Sequence, residues 1–210
     1  MIIPSINKAT LEEASADIMK AQEFVVEGGF IHLDVADGIF TPWRSWGSPA
    51  ELKELNISLN VEVHLMVEDP EAVATSWLEA GVKRLIVPIQ TIKDIDSLKN
   101  ECANYGAKLM LSVDPAISME TIFPYIKDLD EVSVLAVRPG MSGQKFEEDA
   151  LERIKFLREV SPSVKIEVDG GVNPETGARA IKAGADMLVS GGYIFQSKDP
   201  AGAFETLNSL

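Results

Sequence analysis

KIEVDGGVNPET, residues 165–176, packs a strand, a turn and a helix start into twelve residues. KIEVDG (165–170) is a short run with apolar residues and an aspartate near its C-terminal end. Two glycines follow, and then Asn173 and Pro174, a capping residue before a first-turn proline. The helix that begins there runs over 174–183 and stops at Gly184, the left-handed position beyond a helix end. A new apolar run, DMLVSG (186–191), follows. The stretch EAGVKRLIV (79–87) repeats the helix–glycine–strand design of KAGADMLVS (182–190), so the unit recurs along the chain.

Working outward, six more runs match the strand pattern: MIIPSI (1–6), FIHLDVA (30–36), NVEVHLMV (60–67), RLIVPI (84–89), KLMLSV (108–113) and EVSVLAV (131–137). Their near-continuous apolar character suits parallel strands covered on both faces. Helical patterns fill the intervals. Residues 10–27 open with Thr10 and Glu13 in capping-box spacing, and 70–80 open with Pro70 after Asp69 and end at Gly81. Eight alternating units fit a closed (β/α)₈ barrel or an open doubly wound sheet. The count of eight, and polar residues at strand C-terminal ends, favour the (β/α)₈ TIM barrel as one domain over residues 1–210. PSINKATLEE after the first strand has no glycine-rich dinucleotide loop, which argues against the open sheet. The irregular stretch 38–50, GIFTPWRSWGSPA, is expected to be an ordered loop above the barrel mouth.

Composition bounds the function. The 210 residues are 46% apolar and 25% charged, enough for a substantial core in an ordinary soluble protein. A net charge of −14 argues against nucleic-acid or anionic-membrane partners. It leaves room for a small anion held by backbone N–H groups. Cys102 is the only cysteine, so no intramolecular disulfide forms; that and the lack of a leader or spanning segment imply a cytoplasmic protein.

The chain has two histidines, both in strands. His32 and Asp34 alternate in FIHLDVA and share a face; His64 lies in VEVHLMV. Each alone reads equally as a hydrogen-bonded core group, and Glu62 on the face of His64 leaves open whether it sits lower in the barrel. Asp169 ends its strand where an unpaired buried carboxylate would be costly, unless it caps a turn. Together, His32, Asp34, His64 and Asp169 form a donor set for one divalent ion, Zn²⁺, Fe²⁺, Mn²⁺ or Co²⁺. Glycine-rich turns follow three strands: RPGMSGQ (138–144), DGGVN (169–173) and SGGYIF (190–195). The last two follow strands seven and eight, where barrels often bind phosphate.

IHLDVADGIFTP, VHLMVEDP, VRPGMSGQKF and IEVDGGVNPET, with IIPSI and AGADMLVSGGYIF at the ends, resemble the motifs of the ribulose-phosphate 3-epimerase family in order and over nearly the whole chain. The resemblance implies a (β/α)₈ barrel and an isomerase of carbohydrate metabolism that interconverts D-ribulose 5-phosphate and D-xylulose 5-phosphate with one divalent metal. It implies His32, Asp34, His64 and Asp169 as metal ligands, and Asp34 and Asp169 also as the acid/base pair acting through a metal-stabilised enediolate. Ser5, His64, Gly140, Met141, Ser142, Gly143, Gly170, Gly171, Gly191 and Gly192 fall at substrate- and phosphate-binding positions. A homo-oligomer is implied as well.

The departures from the family pattern lie around the expected pocket. Ala36 and Leu135 stand where methionines are usual, though Met66 is retained. NKAT (7–10) follows PSI in place of LSAD, and Trp43 replaces an asparagine. Arg138, Met141 and Ser142 change the sixth-strand turn, and Pro88 stands where a histidine is common. These changes leave open a 3-epimerase of another ketose phosphate, a hexulose or tetrulose phosphate. A phosphate-barrel lyase lacks its strand-end lysine here, and a non-catalytic sugar-phosphate binder has no use for two opposed acids. Arg138 is either a phosphate partner or a solvated loop residue.

Overall fold

A computed structural model describes all residues, Met1–Leu210. Eight parallel strands close into a barrel in chain order. They are β1 (Ile2–Ile6), β2 (Phe30–Ala36), β3 (Asn60–Met66), β4 (Arg84–Pro88), β5 (Lys108–Val113), β6 (Glu131–Leu135), β7 (Lys165–Asp169) and β8 (Met187–Ser190). Around them lie α1 (Leu11–Phe24), α2 (Pro49–Glu54), α3 (Pro70–Glu79), α4 (Ile95–Asn104), α5 (Asp149–Val160), α6 (Pro174–Ala183), α7 (Gly192–Phe195) and α8 (Pro200–Asn208). The (β/α)₈ barrel expected from the sequence is the observed architecture.

Side-chain alternation sorts each strand into an outer and an inner set. Ile31, Leu33, Val61, Val63, Leu85, Val87, Leu109, Leu111, Val132, Val134, Ile166 and Val168 are buried in the continuous core shared with the helices. A separate small apolar cluster, Ile3, Ile86, Met110, Met187 and Val189, lies inside the barrel. The other inward positions of β2, β3, β4 and β7 carry His32, Asp34, Glu62, His64, Arg84, Glu167 and Asp169.

Helix starts follow local chemistry. The Thr10 hydroxyl accepts the Glu13 N–H, and Asn173 and Thr176 form a reciprocal capping box ahead of Pro174. Gly81 and Gly184 take left-handed backbones beyond α3 and α6. The β5–β6 connection differs from expectation: it carries only a 3₁₀ turn, Met119–Ile122. Pro124 follows two residues later and lacks an N–H, so it cannot donate the bond that would carry the turn on as a regular helix.

The loop over 38–50 is ordered, as its composition suggested. Asp37 and Arg44 form a short antiparallel bridge. The Ser45 hydroxyl donates to the Asp34 carbonyl (2.7 Å) and accepts the Ala36 N–H (2.9 Å). The Trp43 indole N–H donates to Asn7 Oδ1 (2.7 Å), and Asn7 Nδ2 donates to the Gly140 carbonyl (2.8 Å). Asn7 and Trp43 thereby tie three loops together at one end of the barrel.

Candidate active site

Register brings the polar inward residues together. Asp34 on β2 is the direct neighbour of His64 on β3, and His32 is the neighbour of Glu62. In the closed strand order, β2 and β7 are separated by β1 and β8 on one side and by four strands on the other. Asp34 and Asp169 therefore enter the interior from well-separated sides. One ligand atom from each of His32, Asp34, His64 and Asp169 lies within 4.8 Å of the others. His32 Nε2 is 3.4 Å from Asp34 Oδ1 and 3.9 Å from Asp169 Oδ2. His64 Nδ1 is 3.5 Å and 3.9 Å from the same two oxygens.

These two ring nitrogens are buried without a hydrogen-bond partner. The opposite nitrogen of each ring is engaged. His32 Nδ1 lies 2.8 Å from Glu62 Oε1, and His64 Nε2 lies 3.0 Å from Ser112 Oγ. Two imidazoles thus aim a free nitrogen at two carboxylate oxygens inside one small volume. A divalent ion of the zinc or iron type suits that donor set. Glu62 is level with His32 in the register, one inward step below His64, and lies outside the four-residue donor set.

The electrostatics separate the two aspartates. Burial raises the Asp34 pKa, but His32 and His64 outweigh it and hold the carboxyl well below the ordinary range. The Ser5 hydroxyl donates to Asp34 Oδ2 at 2.9 Å. Burial first, and then the Asp34 charge, push Asp169 up to about 6, with the histidines opposing. For His32, burial disfavours the charged ring, yet Asp34, Glu62 and Asp169 prevail and lift its pKa well above the usual value.

A cavity of about 330 Å³ opens above this cluster. Asp34, His64 and Asp169 line its base, while His32 is fully buried beneath. Ser5 and every glycine-turn residue picked from the sequence line it: Gly140, Met141, Ser142, Gly143, Gly170, Gly171, Gly191 and Gly192. Two glycines are demanded by space. A Cβ on Gly171, at φ +64°, would sit 2.4 Å from the Phe146 nitrogen, and one on Gly191 would sit 2.8 Å from the Ser5 carbonyl oxygen. Arg138 also lines the cavity, with an exposed side chain, and Met66 and Leu135 contribute apolar wall. Pro88 ends β4 beside Ser112.

Sequence reasoning did not select Asn7, Asn173, Tyr193 and Gln196, which also line the cavity. Tyr193 lay inside the quoted SGGYIF turn and Asn173 inside DGGVN, so proximity to those glycines was the available signal. Ser112, behind His64, carried no signal short of strand register.

Comparison with known proteins follows the same lines. Residues 1–195 match the profile of the ribulose-phosphate 3 epimerase family. The chain belongs to the ribulose-phosphate 3-epimerase family. The family's members are isomerases, and two relatives show the extent of the match. The ribulose-phosphate 3-epimerase of Aquifex aeolicus is 34% identical over 193 residues, covering 88% of this chain and 86% of that protein. The Methanocaldococcus jannaschii protein of the same name is 35% identical over 209 residues, covering 97% and 87%. Among solved structures, the fold resembles 3-hexulose-6-phosphate synthase from Salmonella typhimurium, with TM-score 0.74, 16% identity and coverage of 99% and 96%. It also resembles orotidine 5'-phosphate decarboxylase from Pyrococcus horikoshii, with TM-score 0.68, 18% identity and coverage of 99% and 97%. At these identities the two structures speak to the barrel alone. No helix of this epimerase-family chain is long and apolar enough to cross a membrane.

Proposed function

We propose that this chain is a metal-dependent 3-epimerase of a ketose phosphate, converting D-ribulose 5-phosphate to D-xylulose 5-phosphate and back. The observation that carries the reading is the meeting of Asp34 and Asp169 at the base of one cavity, from separated strands, beside two ring nitrogens without partners.

Inverting a carbon needs a proton taken from one face and another delivered to the opposite face. Two carboxylates on separated strands do this without either crossing the substrate. Asp34 and Asp169 fill these roles, and which of them removes the proton depends on the direction of reaction. Ser5 holds Asp34 Oδ2, which leaves Oδ1 turned toward the histidines and the cavity base. His32, Asp34, His64 and Asp169 would hold the ion. Bound there, it would supply positive charge to the substrate oxygens as negative charge develops on them. The glycine turns at 170–171 and 191–192 let backbone approach the phosphate closely, at the loops after β7 and β8. The relatives' names support ribulose 5-phosphate as the substrate.

The test is an epimerase assay on ribulose 5-phosphate with the wild type, Asp34→Asn and Asp169→Asn, before and after chelation and zinc re-addition. Losing a general acid or base lowers turnover by about 100- to 10,000-fold. Full activity in both variants would sink the two-carboxylate mechanism, and activity indifferent to chelation would sink the metal requirement. Solvent deuterium incorporation at carbon 3 across a panel of phosphorylated ketoses ranks the sugars.

A further inference from the structure

Beneath the site, a second set of charged side chains forms a floor to the barrel. His32, Glu62 and Glu167 bring three ligand-type atoms together there. That cluster already has its cation. The Arg84 guanidinium is hydrogen-bonded through Nη1 to Glu62 Oε2. Its Nη1 is also 3.7 Å from Glu167 Oε2, and its Nε is 2.7 Å from Glu131 Oε2. Phe30 covers the guanidinium, with the central carbon 4.6 Å from the ring centroid. Lys108 fixes the other oxygen of Glu131 at 2.8 Å. Glu62 is therefore held by one oxygen on Arg84 while the other meets His32 Nδ1.

A carboxylate can only accept, so His32 donates through Nδ1–H, and the lone pair of the neutral ring is then on Nε2. The arrangement at His64 is the reverse. Its Nε2 meets the Ser112 hydroxyl, and its Nδ1 is the free nitrogen. We propose that Glu62, clamped by Arg84, is a positioning residue that fixes His32 as the Nδ1–H tautomer and so commits its Nε2 lone pair to the ion, whereas the Ser112 hydroxyl beside His64 accepts either tautomer. This rests on the metal reading above. It goes beyond it by assigning a purpose to a charged layer that touches neither substrate nor ion.

The chain has only two histidines, which makes the test direct. Zinc-loaded protein labelled with ring-¹⁵N histidine is examined by long-range ¹H–¹⁵N NMR, and zinc affinity is measured by chelator competition. In the wild type, the His32 ring should be protonated at Nδ1. Glu62→Leu should move the His32 Nδ1–H signal alone, as its hydrogen bond is lost, and weaken zinc binding about 10- to 100-fold. Glu62→Gln keeps an acceptor oxygen, so it should retain the His32 pattern and most of the affinity. Arg84→Met, which frees Glu62 to turn away, should fall between the two. The unchanged His64 signals report that the barrel is folded; if Glu62→Leu fails to fold, Glu62→Gln and Arg84→Met carry the comparison. A wild type that binds zinc with His32 protonated at Nε2 overturns the proposal. So do variants that bind as tightly as the wild type, or Glu62→Gln as weak as Glu62→Leu. A wild type that binds no zinc overturns the metal reading, and this proposal with it.

Discussion

Gly171→Ala tests the site's construction quantitatively. Gly171 has φ +64°, where an L side chain costs about 1–2 kcal/mol. Its added Cβ would lie 2.4 Å from the Phe146 nitrogen, 2.7 Å from Phe146 Cα and 2.9 Å from Phe146 Cβ. Carbon contacts settle near 3.5–4 Å, so the segment around Phe146 must retreat by about 1 Å. Overpacking of that kind costs about 1–3 kcal/mol. The sum centres near 3.5 kcal/mol, about 10 °C in Tm for a chain of this length. The retreating segment continues the turn that holds Gly140 to Gly143 on the cavity wall, so catalysis should suffer as well. A 1 Å misplacement there lowers kcat/KM about 100-fold, mainly through KM. Gly192→Ala is the matched control on the same wall. Its Cβ meets nothing nearer than Gln196 Nε2 at 3.6 Å, and stability should move by less than about 0.5 kcal/mol. Thermal unfolding and steady-state kinetics on both variants decide the matter. Equal stability of Gly171→Ala and Gly192→Ala would refute the steric account of the turn.

Other consequences are as direct. Ser5→Ala removes the donor to Asp34 Oδ2, and a hydrogen bond to a charged group contributes about 1.5–3 kcal/mol, so Tm should fall by several degrees, and kcat should fall as Asp34 Oδ1 is no longer held toward the histidines. Arg138→Ala should raise KM for a phosphorylated ketose while leaving kcat nearly intact; an unchanged KM would return Arg138 to the solvent. Asp186 gives the pH dependence of stability. Burial raises its pKa, but the Ile166 N–H and the Lys165 and Arg158 cations outweigh that and lower it. A depressed folded pKa means stability that is present above the unfolded value and lost as pH falls through the folded one. Asp186→Asn should therefore be destabilised at pH 7 and show a shallower loss of Tm below about pH 4 than the wild type; parallel curves would exclude this contribution.

Much of this was legible in the sequence because the relevant signals are local. The apolar runs at 30–36 and 108–113 and the capped helix at 174–183 keep their expected ends. Ends drifted where non-local pairing decides them. The sixth strand was read to 137 and stops at Leu135; beyond it, the Ala136 N–H still bonds the Asp169 carbonyl before the chain turns away at Arg138. The first helix was read to 27 and ends at Phe24, because Val25 is already extended ahead of Gly28. The four clustered residues, His32, Asp34, His64 and Asp169, were legible as possible donors carried on strands. Ser112, Arg84 and the bridging Asn7 were not, since their meaning depends on which strands and loops lie side by side.

The charged floor makes little sense as a device for stability. Replacing a buried ion network with well-packed apolar residues is commonly neutral or stabilising. The barrel already shows that alternative in Ile3, Ile86, Met110, Met187 and Val189, which fill inward positions without polar groups. Yet Glu62, Arg84 and Glu167 occupy the interior one step below the site, and Glu167 is pushed well above the carboxylate range by burial and by the Glu62 charge. The cost falls on the layer next to His32, the one site histidine whose second nitrogen meets a carboxylate rather than a hydroxyl. A hydroxyl donates or accepts and tolerates either tautomer; a carboxylate clamped by a guanidinium tolerates one. The floor is where the barrel exchanges packing stability for a fixed direction of one lone pair.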